Sequence, residues 1–165
     1  MLVGDDALVP LTQGMWAVVD AEDAEIAGRR PWTSVAGYRT WYAGAMDLRD
    51  GVRVALRLHR EVMGLPVGDH RQVDHVNGNG LDNRRRNLRV ATAGQNLANK
   101  ASREGSLSKY KGVSPNRGRS KWVARITVDG RTTFLGTFDD ETTAALAYDQ
   151  AAIEAWGHFA RPNFP

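Results

Sequence analysis

Along residues 121–128, KWVARITV, apolar and polar positions alternate: Trp122, Ala124, Ile126 and Val128 fall on one side of an extended chain, with Lys121, Val123, Arg125 and Thr127 on the other. A period of two predicts a strand with one buried face. Asp129-Gly130 supplies the positive-φ pair of a tight hairpin, so Arg131 to Phe138 (RTTFLGTF) is expected to pair back antiparallel. Asp139 or Asp140 can then cap a helix from about Glu141 to Trp156, which Gly157 ends. Alanines at 144, 145, 147, 151, 152 and 155 allow that helix to approach a sheet closely.

Two more regions precede this one. In the first, to about Leu65, Val52 to Leu58 (VRVALRL) alternates apolar residues with arginine, Asp50-Gly51 marks a hairpin turn, and Tyr38 to Met46 (YRTWYAGAM) is the expected partner strand. Met15 to Val19 (MWAVV) predicts a buried strand. The second, Arg71 to about Ala101, holds a loop rich in Asn, Gly and Asp, then three arginines, then a capping box, Thr92-x-x-Gln95, that opens a helix. Helical spacing puts Asn96 on one face with Asn99 and Lys100. Asn99 is expected to be a surface amide. Gly105, Ser106 and Ser108 mark a linker.

Composition narrows the class. With 165 residues and no cysteine, a disulfide scaffold and a cysteine-ligated zinc site are excluded. No apolar run approaches the ~20 residues of a membrane span, and the start, MLVGDDALVP, lacks the marks of a signal peptide, so a soluble, cytoplasmic protein is expected. The net charge of +3 conceals segregation: residues 101–138 carry eight basic against two acidic side chains, and residues 139–165 one against five. A basic surface backed by an acidic element is the footprint of a nucleic-acid binder, or of a solvated charged face.

The candidate chemistry lies in the second region. Asp74 and His75 are adjacent, Asn87 follows, and Asn96 sits near the start of the capped helix. Carboxylate and amide oxygens are hard donors that suit Mg²⁺ or Mn²⁺, and a neutral imidazole beside them suits a general base. The stretch VDHVNGNGLDNRRRNLRVATAGQNLANK resembles the core of the HNH endonuclease family, with its ββα-metal motif; PLTQG, WAVVD and LHR upstream are similar to phage and intron-encoded homing endonucleases. The resemblance implies that Asp74 binds metal, His75 is the general base, Asn87 orients that base, and Asn96 is the second metal ligand. Some members carry a further His where this chain has Lys100, which cannot ligate a cation while protonated and is placed with the DNA contacts. Arg84, Arg85, Arg86 and Arg89 read either as a solvated turn or as clamps on the DNA backbone. His59 is expected to be a packed structural residue, and His70 and His158 loop residues.

From Tyr110 to Phe164 the chain resembles the AP2 DNA-binding domain, with LGTF, AYDQAA and the closing NF as its specific words. The resemblance implies a three-stranded antiparallel sheet laid in the major groove and backed by one helix. Carried over by position, the DNA contacts are Lys111, Ser114, Asn116, Arg119, Lys121, Arg125, Thr127 and Phe134. Ser114 and Asn116 stand where that family usually has Arg, so its sequence preference is not transferred. Arg117 and Arg131 are phosphate contacts or solvated residues, and Phe134 has a core position as its alternative.

The expectation is an α+β protein: an HNH nuclease domain over 1–101 with its metal motif at 71–101, a linker at 102–109, and an AP2-like domain over 110–165. Its expected function is site-specific, homing-type cleavage of double-stranded DNA with one Mg²⁺ or Mn²⁺ per site, by a monomer or homodimer, without small-molecule cofactor or membrane. The alternative is a DNA-binding regulator with a silent HNH fold.

Overall fold

The computed structural model describes residues 1–102, 105–117 and 120–165. It is an α+β chain of small antiparallel sheets and few helices, divided into two compact units, Met1–Thr92 and Ala93–Pro165. This division falls ahead of the segment that the sequence marks as a linker. Among the described residues no helix is long and apolar enough to cross a membrane.

In the first unit, β1 (Leu2–Val3), β2 (Asp6–Pro10) and β3 (Trp16–Asp20) form one sheet, followed by α1 (Ala24–Gly28). A second sheet consists of β4 (Thr33–Ala36), β5 (Trp41–Arg49) and β6 (Val52–Arg57), with β5 central. The predicted strand at 38–46 starts later, at Trp41, because Gly37 donates its N–H to the Thr40 carbonyl and turns the chain there. Strand β4, whose TSVA carries no alternation, was not legible. At the β5–β6 turn Asp50 and Gly51 both take positive φ, 51° and 79°, as the hairpin requires. Next come α2 (Leu58–Val62) and a two-stranded hairpin, β7 (Gln72–His75) and β8 (Leu88–Ala91). Val19, Trp32, Leu56, Leu58, Val62, Val73 and Leu88 form one core beneath these elements, so the loop between β7 and β8 rests on a packed base.

The second unit begins with the short helix α3 (Ala93–Ala98). Strands β9 (Val113–Asn116), β10 (Lys121–Val128) and β11 (Arg131–Phe138) form an antiparallel sheet with β10 central, and α4 (Glu141–Trp156) packs on it. Asp129 and Gly130 adopt φ of 48° and 76°, and Asp140 caps α4 by accepting from the Thr143 N–H at 2.8 Å, as the sequence leads one to expect. The alanines serve close packing: Ala144, Ala145 and Ala152 are buried with Ala124 and Ile126. Gly112, at φ 76°, lies directly under the Tyr148 ring, where a Cβ has no room. Ser108, expected in a linker, is buried; its hydroxyl donates to Glu141 Oε1 at 2.7 Å and accepts from the Tyr110 N–H. The closing Asn163-Phe164 is held by buried Asp149, whose carboxylate accepts both backbone N–H groups at 2.8 and 3.0 Å.

Candidate active site and DNA-facing surface

The antiparallel register of β7 and β8 sets Asp74 opposite Arg89 and His75 opposite Leu88. Both members of the Asp-His pair are buried, at 4% and 6% exposure. A buried carboxylate needs a counter-charge, and Arg89 provides it, with Nε 2.8 Å and Nη2 2.7 Å from Asp74 Oδ2.

His75 is oriented by a residue that the sequence did not single out. Its Nε2 lies 3.2 Å from Asn83 Oδ1, while Asn83 Nδ2 donates to the Leu81 carbonyl, also at 3.2 Å. Because the second bond commits the amide nitrogen, the oxygen must face the imidazole, which assigns the proton to Nε2 and the basic lone pair to Nδ1. Asn87, expected to orient the base, acts on the loop backbone: its Nδ2 donates to the Asp82 carbonyl at 2.7 Å and its Oδ1 accepts from the Asn77 N–H at 3.0 Å. Asn87 thus staples both sides of the loop that carries His75. Asn83 has its own anchor in a distant strand, since its N–H donates to the Val18 carbonyl at 2.7 Å.

Around the imidazole, His59 lies edge-on with ring centroids 5.0 Å apart, and Tyr42 lies 5.8 Å from each histidine. His59 is packed, as expected, yet its buried Nδ1 meets no hydrogen-bond partner among the described residues. Burial, then repulsion from His75, Arg57 and Arg60, pushes the His59 pKa down to about 3, so this ring is neutral. Burial also lowers His75, opposed by its Asn83 bond and by Asp74 and Asp82. Burial raises the Tyr42 phenol, with Asp74 adding to the effect and Arg57 opposing it.

Most of the arginine run is tied to carboxylates. Arg84 forms a two-pronged pair with Asp82 at 2.7 and 2.8 Å and reaches Asp6 at 3.1 Å. Arg85 grips Asp23 at 2.9 and 2.7 Å, pairs with Glu22, and donates its backbone N–H to Asp20. The carboxylates of Asp20, Glu22 and Asp23 lie within 4.8 Å of one another, and Arg85 is their counter-ion. With Arg89 on Asp74, three of the four arginines brace the loop; Arg86 is exposed. Asn96 lies on α3 in the second unit with Lys100 exposed just past the helix end, and Asn99, expected at the surface, is buried.

In the second unit the strand registers put Ser114, Asn116, Lys121, Arg125, Thr127 and Phe134 on one face of the sheet, opposite α4. Phe134 is 58% exposed, with the Arg125 guanidinium 5.9 Å from its ring, which settles it outside the core. Val123, on the same face, is buried. Lys121 pairs with Asp139 at 2.8 Å. Lys111 turns inward: its Nζ donates to the Ala98 carbonyl, and burial, with Arg161 nearby, pushes its pKa down to about 8. Arg117 and Arg131 are exposed, Arg131 at the hairpin turn, and Arg119 lies outside the described residues.

A hairpin carrying a buried Asp-His pair, with its Asn-rich loop stapled from below, goes with a sequence match that defines the class. Over 141 residues, covering 80% of this chain and 70% of the relative, the chain is 32% identical to an uncharacterised HNH endonuclease of Acanthamoeba polyphaga mimivirus. The chain belongs to the HNH endonuclease family. A stretch of 58 residues, 35% of the chain, is 47% identical to an AP2/ERF and B3 domain-containing protein of Oryza sativa subsp. japonica, of which it covers 16%. Over 71 residues, 42% of the chain, it is 41% identical to dehydration-responsive element-binding protein 2C of Arabidopsis thaliana, of which it covers 20%. The architecture is HNH plus AP2, and the chain spans only a small part of these plant relatives. No protein-family model matches the chain.

Proposed function

We propose that the protein is a site-specific, homing-type DNA endonuclease whose C-terminal sheet binds the target and whose β7–β8 loop cuts it. The reading rests on one observation above all: His75 is buried, its pKa lowered by that burial, and held at Nε2 by Asn83, so that its basic lone pair sits on Nδ1. His75 Nδ1 takes a proton from water, and the resulting nucleophile attacks the scissile phosphorus in line. Asn83 keeps the ring in register as it acquires positive charge, and the products carry a 5′ phosphate and a 3′ hydroxyl.

The donor chemistry fits a hard divalent ion, Mg²⁺ or Mn²⁺. Asp74 offers carboxylate oxygen, and the chain has no thiol. Such an ion, when bound, neutralises charge on the phosphate and leaving oxygen. Arg89 holds Asp74 in place and balances its charge in the absence of substrate.

The double grip of Arg89 on Asp74 Oδ2 also gives the competing reading its foothold, since an arginine that never yields would leave a DNA-binding regulator with a silent site. Incubating supercoiled plasmid with the protein and Mg²⁺, against the same mixture with EDTA, separates the two. Conversion to nicked or linear DNA only with the metal supports the nuclease; intact plasmid in both supports the regulator.

A further inference from the structure

The first unit contains no lysine, so all its cationic side chains are arginines. Of those expected to hold DNA, Arg84, Arg85 and Arg89 are bound to carboxylates inside the unit, while Arg86 is exposed and forms no ion pair among the described residues. Further positive charge without a carboxylate partner lies on β6, where Arg53 and Arg57 form no ion pair among the described residues. Four residues apart on one strand, they share a face and stand ~13 Å from each other at ~3.3 Å per residue.

That face is the outer one of the β4–β5–β6 sheet. Ala43, Ala45, Val54 and Leu56 point to the core. Register then places Tyr42, Gly44, Met46 and Leu48 of β5 beside Arg57, Ala55 and Arg53 of β6 on the other side. The face carries two arginines and no carboxylate; Asp47 is on the core side, bound to Arg30 and Arg49. Met46 and Leu48 are 64% and 67% exposed beside the arginines. A Cβ on Gly44 would stand 3.0 Å from Arg57 Nη1 and 2.6 Å from Val35 Cγ2, so glycine is what lets the guanidinium lie across β5. The face is continuous with the catalytic loop: Tyr42, on the same strand face, sits 5.8 Å from His75, and Arg57 acts electrostatically on both Tyr42 and His59. Strand β6 is also the edge of the sheet. The cleft along it, about 420 Å³, includes Arg57 and Arg60 in its lining; Arg29, Arg30 and Arg49, which also line it, are paired with Glu25, Asp47 and Glu61.

We propose that the outer face of the β4–β5–β6 sheet is a DNA-contact surface of the nuclease unit, on which Arg57 and Arg53 bind phosphates of the strand leading into the catalytic loop. The proposal rests on the nuclease reading. Arginines with no competing carboxylate, Arg53 exposed and Arg57 half-buried, suit a phosphate backbone, and exposed apolar side chains such as Met46 and Leu48 suit the sugar edges and base steps of a groove.

The test uses the full chain carrying His75→Ala to suppress cutting, a random-sequence duplex of about 30 base pairs, and binding titrations from about 50 to 300 mM salt. Each lost phosphate contact reduces the slope of log K against log salt by ~0.9. Added to that background, R53Q/R57Q should flatten the slope by about 1.8, and R53K/R57K should keep it. Arg53→Gln alone, at an exposed position, should flatten it by about 0.9 without altering the melting temperature, which keeps the test decisive should the double variant misfold. Unchanged slopes in folded glutamine variants overturn the proposal. A flattened slope in a protein that, with His75 intact, never cuts plasmid would retain this surface and defeat the nuclease reading. Cutting by the intact protein with unchanged slopes would do the reverse.

Discussion

Asn83 Oδ1 meets His75 Nε2 at 3.2 Å, and with Asn83 Nδ2 committed to the Leu81 carbonyl this contact puts the imidazole proton on Nε2. Asn83→Ala leaves a buried N–H unpaired and frees the ring to turn. Loss of such an orienting partner lowers activity ~10–100-fold. DNA affinity should be unchanged, because Asn83 is buried and cannot touch DNA. Cleavage rates and binding titrations on the same preparation check this; a variant that cuts at the parent rate would show that Asn83 does not control the base.

Gly80 brings the loop between β7 and β8 tightly against β5. A Cβ there would stand 2.5 Å from the Trp41 carbonyl oxygen and 2.6 Å from the Tyr42 ring, and the backbone oxygen has no way to yield. Gly80→Ala should therefore lift the loop, breaking the Gly80 N–H to Thr40 Oγ1 bond, at a stability cost of ~1–3 kcal/mol and at least ~10-fold in cleavage. Thermal unfolding and rate measurements read both effects, and an unchanged variant would mean the loop position is not critical.

The neutral His59 ties stability to pH. Its folded pKa of about 3 lies below the ordinary 6.5. Between those values the unfolded chain takes up a proton that the folded chain refuses. Stability is therefore complete above about 6.5 and declines as pH falls towards 3, by at most ~1.4 kcal/mol per pH unit. The His75 shift, also downward, acts in the same sense. His59→Phe should flatten this acid limb in denaturant titrations at pH 7, 5.5 and 4.5. A limb as steep as the parent's would place the acid sensitivity elsewhere.

On the C-terminal sheet, Arg125 and Phe134 project together from the face opposite α4. Arg125→Ala should cost ~1–3 kcal/mol on a duplex selected for tight binding and less on a scrambled one. Lys121→Ala, which removes a side chain shared with Asp139, should weaken both duplexes alike. Identical losses for both variants on both duplexes would make Arg125 a phosphate contact rather than a base reader.

Much of this was legible where structure is local. Both Asp-Gly turns, the β10–β11 hairpin and the capped α4 follow from periodicity and backbone preference within short windows. The adjacency of Asp74 and His75 is likewise written in the chain. What stayed hidden depends on distant partners. The loop holds Asn77, Asn79, Asn83 and Asn87 with nothing local to rank them; only the bond from Asn83 to Val18 in β3 decides which one faces His75. Arg84 and Arg85 read as phosphate clamps because their partners, Asp6, Asp20 and Asp23, lie more than sixty residues upstream. Ser108 looked like linker because serine and glycine suit linkers, yet the carboxylate that fixes it comes from Glu141 in α4.

The central claim, that His75 is the general base of a metal-dependent nuclease, is tested most directly by plasmid cleavage with His75→Ala beside the parent at saturating protein and Mg²⁺. Loss of a general base lowers the rate by at least ~10²-fold, so the variant should leave plasmid uncut over the time in which the parent converts it, while binding duplex DNA as tightly as the parent. Cleavage by His75→Ala at the parent rate would contradict the account.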